Sequence, residues 1–186
     1  VAQKGGFDNT PNVITTNGGS DIVTSNGGDD TLNLGGGDDV ANSGTGNDAI
    51  NGGDGSDELD GDLGDDTISA GEGNNRAWGR DGNDTITAGG GNDQLDGGVG
   101  SDTITAGDGT NTLIGDAGDD RLTSGSGVDT VSAGTGNDTV DSGGAADQIT
   151  AGEGDDIVHA DDGDNVIDLG PCNDGSSTDP ADMACS

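Results

Sequence analysis

The chain has 186 residues, 41 of them Gly, with 38 Asp or Glu against 4 Lys or Arg and a formal net charge of −34. An apolar content of 26 %, with one Trp, one Phe and no Tyr, is too small to offset the entropy of folding by burial alone, so the chain stays expanded unless cations neutralise its carboxylates. The acidity excludes partners rich in phosphate such as nucleic acids, and no apolar run reaches the ~18 residues of a membrane helix.

In chain order, residues 1–11 read as a short arm carrying Lys4 and Phe7. No signal peptide is visible at Val1, so an exported form has its signal removed or elsewhere in a precursor. From Asn12 a strict nine-residue period begins. Asp or Asn occupies all seventeen positions stepped by nine from Asp21 to Asn165. Two residues after each, and after Asn12, stands an aliphatic residue, from Ile14, Val23 and Leu32 through to Val158 and Ile167. Two residues before most of them stands Gly, as at Gly28, Gly46, Gly64, Gly82, Gly100, Gly118, Gly136 and Gly154, with Ala145 as the exception in the regular run. A random acidic linker does not hold such a register without one insertion.

Each x-aliphatic-x triplet predicts a short strand with its centre inward and its neighbours outward. The six residues between triplets are rich in Gly, Asn and Asp, which tolerate positive φ and tight turns. Two units then make one coil of about 18 residues, and stacked coils spaced ~4.8 Å apart give two facing parallel sheets over about nine coils. The predicted core is a thin aliphatic ladder, supplemented by small residues such as Ala70, Ala88, Ala106, Ala133 and Ala151 at strand ends. Such a core is weak for its length, so the turns need another source of stability.

The units Gly89-Gly90-Gly91-Asn92-Asp93-Gln94-Leu95 and Gly134-Thr135-Gly136-Asn137-Asp138-Thr139-Val140 resemble the GGxGxDxUx nonapeptide of the repeat-in-toxin (RTX) family. The resemblance covers about residues 12–169. It implies a right-handed parallel β-roll, an all-β solenoid, with calcium held between successive turns by Asp carboxylates and by main-chain carbonyls of the Gly-rich turns, including those of the eight glycines from Gly28 to Gly154. Calcium suits such sites because it takes six to eight oxygens in flexible geometry. Carried onto this chain, one edge of the roll presents Asp30, Asp48, Asp66, Asp84, Asp102, Asp120, Asp138 and Asp156. The other presents Asp21, Asp39, Asp57, Asn75, Asp93, Asn111, Asp129, Asp147 and Asn165. The Asn positions are expected to be weaker sites or empty. About ten to twelve divalent ions would offset roughly 20 to 24 of the negative charges. Arg80, which replaces a turn Gly, is expected to stand in for a missing cation.

Other features carry bland readings. His159, the single histidine, sits at an outward position with no nucleophile in a recognisable motif, so no catalytic role is expected. Trp78 points outward, either as a contact for a partner or sugar or as an irregular repeat. The sequons Asn83-Asp84-Thr85 and Asn137-Asp138-Thr139 coincide with the repeat and read as accidental. Thr67, Thr85, Thr87, Thr103 and Thr105, with Ser69, form outward Thr-x-Thr rows like those of ice-binding solenoids, although Thr is also a good strand residue on a wet face. The tail, 171–186, holds Cys172 and Cys185, whose spacing reads as a local disulfide in an oxidising compartment. The expectation is a secreted, non-enzymatic, calcium-folded structural β-roll over 12–170, with head-to-tail self-assembly of copies. An ice-binding solenoid and a repeat block of a larger RTX toxin, adhesin or hydrolase are the alternatives.

Overall fold

The structure is a computed structural model that describes residues 2–4 and 9–171. It contains nineteen strands and, among the described residues, no helix. They are β1 (Ala2–Lys4), β2 (Val13–Thr15), β3 (Ile22–Thr24), β4 (Thr31–Gly36), β5 (Val40–Thr45), β6 (Ala49–Asp54), β7 (Glu58–Leu63), β8 (Thr67–Glu72), β9 (Arg76–Asp81) and β10 (Thr85–Ala88). There follow β11 (Gln94–Val99), β12 (Thr103–Thr105), β13 (Thr112–Ala117), β14 (Arg121–Thr123), β15 (Thr130–Thr135), β16 (Thr139–Asp141), β17 (Gln148–Glu153), β18 (Ile157–His159) and β19 (Val166–Asp168). Odd strands form a 10-stranded sheet and even strands a 9-stranded sheet. Every pairing between named strands is parallel, and from β2 onward the aligned triplets lie 18 residues apart, as in Thr85↔Thr103 and Leu95↔Leu113. The chain is thus a two-sheet solenoid of about nine coils, as the nine-residue period requires.

The inward aliphatic of each triplet makes the core. Ile68, Ile86, Ile104, Leu113 and Leu122 are fully buried, while their sequence neighbours alternate outward. A second inward position, two residues later, holds Ala70, Ala106, Ala133 and Ala151 and, unexpectedly, Leu34, all fully buried. Ser25, Ser43 and Ser124 occupy the same position elsewhere and donate to main-chain carbonyls of the next coil, Ser43, Gly61 and Ser142 respectively. A hydroxyl at these three points is therefore paired within the core, whereas that of Ser142, at the same position, is buried without a partner.

Two expectations need revision. Many strands are six residues long rather than three, because the Gly-rich half of the repeat joins the ladder: Gly53 aligns with Gly71 and Asp62 with Arg80. Segments with few side chains stack closely enough for bonds such as Gly37 N–H to the Asp54 carbonyl, 2.7 Å, to continue the sheet. The N-terminal arm also supplies a strand, Ala2–Lys4, paired with Ile22–Thr24. Cys172 and Cys185, and the disulfide expected between them, lie outside the described residues.

Candidate metal centre

Each acidic position sits at the end of a turn, immediately before a strand, and its main chain is already committed to the ladder. The side chains turn inward against the turn instead of into solvent. Asp30, Asp39, Asp48, Asp57, Asp66, Asp84, Asp93, Asp102, Asp120, Asp129, Asp138 and Asp147 are all buried, as are Asp21, Asn75 and Asn111. The register places them in two columns, one along each edge of the solenoid, and brings together the residues that the sequence assigned to each edge. Asp156 and Asn165 close the two columns at the C-terminal end, where they accept from Asp138 N–H and Asp147 N–H.

The two carboxylate oxygens have different environments. Oδ1 of each rung accepts the main-chain N–H of the rung one coil earlier: Asp48 N–H donates to Asp66 Oδ1 at 2.7 Å, Asp66 to Asp84 at 2.7 Å, Asp102 to Asp120 at 2.8 Å and Asp129 to Asp147 at 3.0 Å. Oδ2 is buried and has no hydrogen-bond partner in twelve of these aspartates, Asp30 through Asp147. On both edges a main-chain carbonyl oxygen lies near it, as the space beside Gly52, Gly61 and Gly79 shows. A methyl built on Gly61 would lie 2.3 Å from Asp66 Oδ2 and 3.0 Å from the Gly79 carbonyl oxygen; on Gly79 the figures are 2.1 Å to Asp84 Oδ2 and 2.7 Å to the Gly97 oxygen. Carboxylate and carbonyl oxygens converge with no donor between them, an arrangement that a buried anion tolerates only with a cation or a proton in place.

Burial pushes these carboxyls upward despite the main-chain N–H that each accepts. Asp66 and Asp120 are raised to about 7, and Asp102 and Asp138 to about 6, with neighbouring rung charges adding to the desolvation. Asp48, Asp57, Asp84, Asp93 and Asp129 move in the same direction, again chiefly through desolvation. Among the described residues no three His, Cys, Asp or Glu side chains converge on one point. A cation held at a rung would therefore have one carboxylate there and would need main-chain oxygens to complete its shell. That donor set, all oxygen and mostly neutral, fits a hard cation such as calcium.

The glycines singled out two residues before the all-Asp column, Gly28 through Gly154, all adopt positive φ, between 100° and 146°. A methyl on Gly100 would come within 1.7 Å of the Gly82 oxygen in the coil before, so this position is glycine because a neighbouring turn passes through the space a side chain needs.

A second ladder went unread in the sequence. The residue just before each rung is Asp, Asn, Ser or Thr in most repeats, and its exposed side chain accepts the N–H one coil later, as in Asn47 N–H to Asp29 Oδ1, Asn83 N–H to Asp65 Oδ1 and Asn137 N–H to Asp119 Oδ1. Successive amides of an extended chain point opposite ways, so the inner ladder bonds forward and the outer one backward. On the all-Asp edge the outer series runs Asp29, Asn47, Asp65, Asn83, Ser101, Asp119, Asn137, Asp155. No two of its charges are adjacent along the column, and Asn83 and Asn137 also donate Nδ2 to the carboxylate below. On the other edge Val128 and Ala146 end the series.

Arg80 does not enter a cation site. It takes the positive φ of a turn glycine, 85°, but its guanidinium reaches across the outer face to Asp60, Nε to Oδ1 and Nη2 to Oδ2 both at 3.1 Å, and lies over the Trp78 ring at 5.4 Å. A long cation on an outward-facing strand finds a carboxylate on the neighbouring strand sooner than an interior. Trp78 is half-buried beneath it. His159 is exposed on β18 beside Asp141. Thr67, Thr85 and Thr103 share one outward column, bounded by Ala49 and Arg121, and Ser69, Thr87 and Thr105 the other, bounded by Asn51 and continued by Thr123.

The sequence matches the family described as RTX calcium-binding nonapeptide repeat (4 copies) in five consecutive stretches, residues 8–41, 35–68, 69–104, 105–140 and 141–174. No curated protein and no solved structure matches it. Those five stretches span nearly all of the solenoid just described, its two acidic edges included, and the chain belongs to the RTX calcium-binding nonapeptide repeat family.

Proposed function

We propose that this chain is an extracellular structural element whose β-roll is held folded by calcium bound along both acidic edges, and that it has no catalytic role. The observation that carries the reading is the row of buried Asp Oδ2 atoms without a partner, from Asp30 to Asp147. Leaving each unsatisfied costs ~1–3 kcal/mol, so twelve of them cost ~12–36 kcal/mol, enough to cancel the ~5–15 kcal/mol by which an ordinary domain is stable. Asp residues of the inner ladder, with carbonyls of the Gly-rich turns, would hold the ions, and the ions supply the positive charge that the chain lacks. Metal binding and folding then form one event.

The experiment is a calcium titration of chelator-treated protein at neutral pH, followed by far-UV circular dichroism and small-angle scattering. A parallel rise of β signal and contraction to a rod is expected. A β signal unchanged by excess EDTA would refute the reading. Self-assembly is the second part of the proposal. Ile167, an inward residue of the last described coil, is 45 % exposed, whereas its counterpart Ile149 is 2 % exposed. A second copy stacked on this coil would bury that rung. Electron microscopy in calcium should show rods longer than one chain, and uniform single-length rods would remove this part.

A further inference from the structure

We propose that Asn75 and Asn111 are built-in substitutes for the cation: their side-chain amides hold the turn that an ion holds at the Asp rungs, so the mixed edge takes up no ion at these two points. The inference rests on the calcium reading of the Asp rungs and concerns the two rungs that depart from it.

Asn75 occupies the same column as Asp57 and Asp93, and its Oδ1 does what Oδ1 of an Asp rung does, accepting Asp57 N–H at 3.0 Å. Asn111 accepts Asp93 N–H at 3.0 Å in the same way. That bond fixes the amide orientation, since the reverse would set two N–H groups against each other. The remaining terminal atom is therefore Nδ2, at the place where an Asp rung has its unpartnered Oδ2. In Asn75, Nδ2 donates to the carbonyls of Gly71, 3.2 Å, and Gly73, 3.4 Å. In Asn111 it donates to the carbonyl of Gly107, 3.3 Å, in its own turn and to that of Ser124, 3.3 Å, in the next coil.

The Ser124 carbonyl is of the kind that lies near Asp Oδ2 elsewhere. Ser124 lies five residues before rung Asp129, as Gly79 lies five before Asp84 and Gly97 five before Asp102, and the Gly79 and Gly97 oxygens are those that converge with Asp66 Oδ2 and Asp84 Oδ2. Gly73 stands two residues before its rung, the position of Gly28 and Gly46 on the other edge. One change of atom, oxygen to NH2, thus turns an oxygen cluster that demands a cation into a donor with two acceptors. Neither Asn is among the residues with a buried unpartnered polar atom.

The test counts ions. Wild type, Asn75→Asp, Asn111→Asp and Asp93→Asn are each saturated with calcium, and bound ions per chain are counted by native mass spectrometry and by equilibrium dialysis, with circular dichroism to check the fold. Each Asn→Asp change is expected to add one ion, and Asp93→Asn to remove one, with the β signal of saturated protein unchanged. In chelator, Asp93→Asn should retain more β signal than wild type. An unchanged count in folded Asn75→Asp, or an unchanged count in Asp93→Asn, would overturn the proposal. Asp93→Asn carries the test by itself if the Asn→Asp variants do not fold. A wild type that binds no calcium would instead overturn the functional reading on which the proposal stands, so the two failures are distinct.

Discussion

Leu95→Ala is the most informative single perturbation of the core. Leu95 is 1 % exposed, and it stacks between Ala77 and Leu113 in the odd sheet. Truncating a buried Leu costs ~2–5 kcal/mol. In a chain that folds only with its ions, this loss is made up by raising calcium. When folding takes up n ions, each tenfold rise in free calcium adds ~1.4 kcal/mol per ion, so the midpoint moves by the lost energy divided by n times that value. With about ten ions taken up together, the midpoint rises only about 1.4- to 2.3-fold; with a single ion it rises about 30-fold or more. The assay is a buffered calcium titration of wild type and variant by far-UV circular dichroism at neutral pH. A small shift with unchanged steepness is expected. A shift beyond about tenfold would mean that few ions are coupled to folding, and the ladder of linked sites would have to be abandoned.

Acid should partly replace metal. The folded chain holds Asp66 and Asp120 at about 7 and Asp102 and Asp138 at about 6 against an ordinary 3.8, so the folded state favours the proton; the contribution of these groups to the metal-free fold is favourable below the ordinary value and lost as pH rises through 6 to 7. In excess chelator the β signal should therefore grow as pH falls from about 8 to about 5, and a steady loss on acidification contradicts this. Gly100→Ala sets a methyl 1.7 Å from the Gly82 oxygen at φ 139° and should cost at least ~3 kcal/mol, read as a higher calcium midpoint, whereas Gly144→Ala, with nothing within 4 Å of the added carbon, should leave the midpoint unmoved. Ala145 adopts φ 126° where other repeats have glycine, so Ala145→Gly should gain ~1 kcal/mol and lower the midpoint. Arg80→Ala breaks an ion pair whose guanidinium is half exposed and should change stability by less than ~1 kcal/mol.

The pairing of Ile86 with Ile104, the two sheets and the burial of the Asp columns all follow from the nine-residue period, because a solenoid has no long-range topology beyond its repeat. What the period leaves open is the job of each atom. A one-letter Asp does not say that Oδ1 is spent on the next coil while Oδ2 is left among carbonyls; that division appears only once Asp66 and Asp84 are stacked. The outer ladder was visible in principle, since Asp29, Asn47, Asp65 and Asn83 precede their rungs in register, but such residues are equally common in plain turns. The six-residue strands are not legible in the sequence because Gly-rich stretches lack the β-branched side chains that mark strands. Charge alone suggests a cation's role for Arg80, and its reach across to Asp60 depends on which strand lies beside β9.

The 18-residue offset between paired strands decides how a gene for such a chain can grow. Duplicating 18 codons adds a whole layer and leaves everything downstream seated as before. Duplicating nine exchanges the two sheets for the remainder of the molecule: Asn111 would move under the uniformly acidic column, and the Thr85–Thr103 face would be cut short and resume on the opposite side. Lengthening by pairs of repeats is silent and lengthening by single ones is not, so length variants of this solenoid should differ by even numbers of nonapeptides.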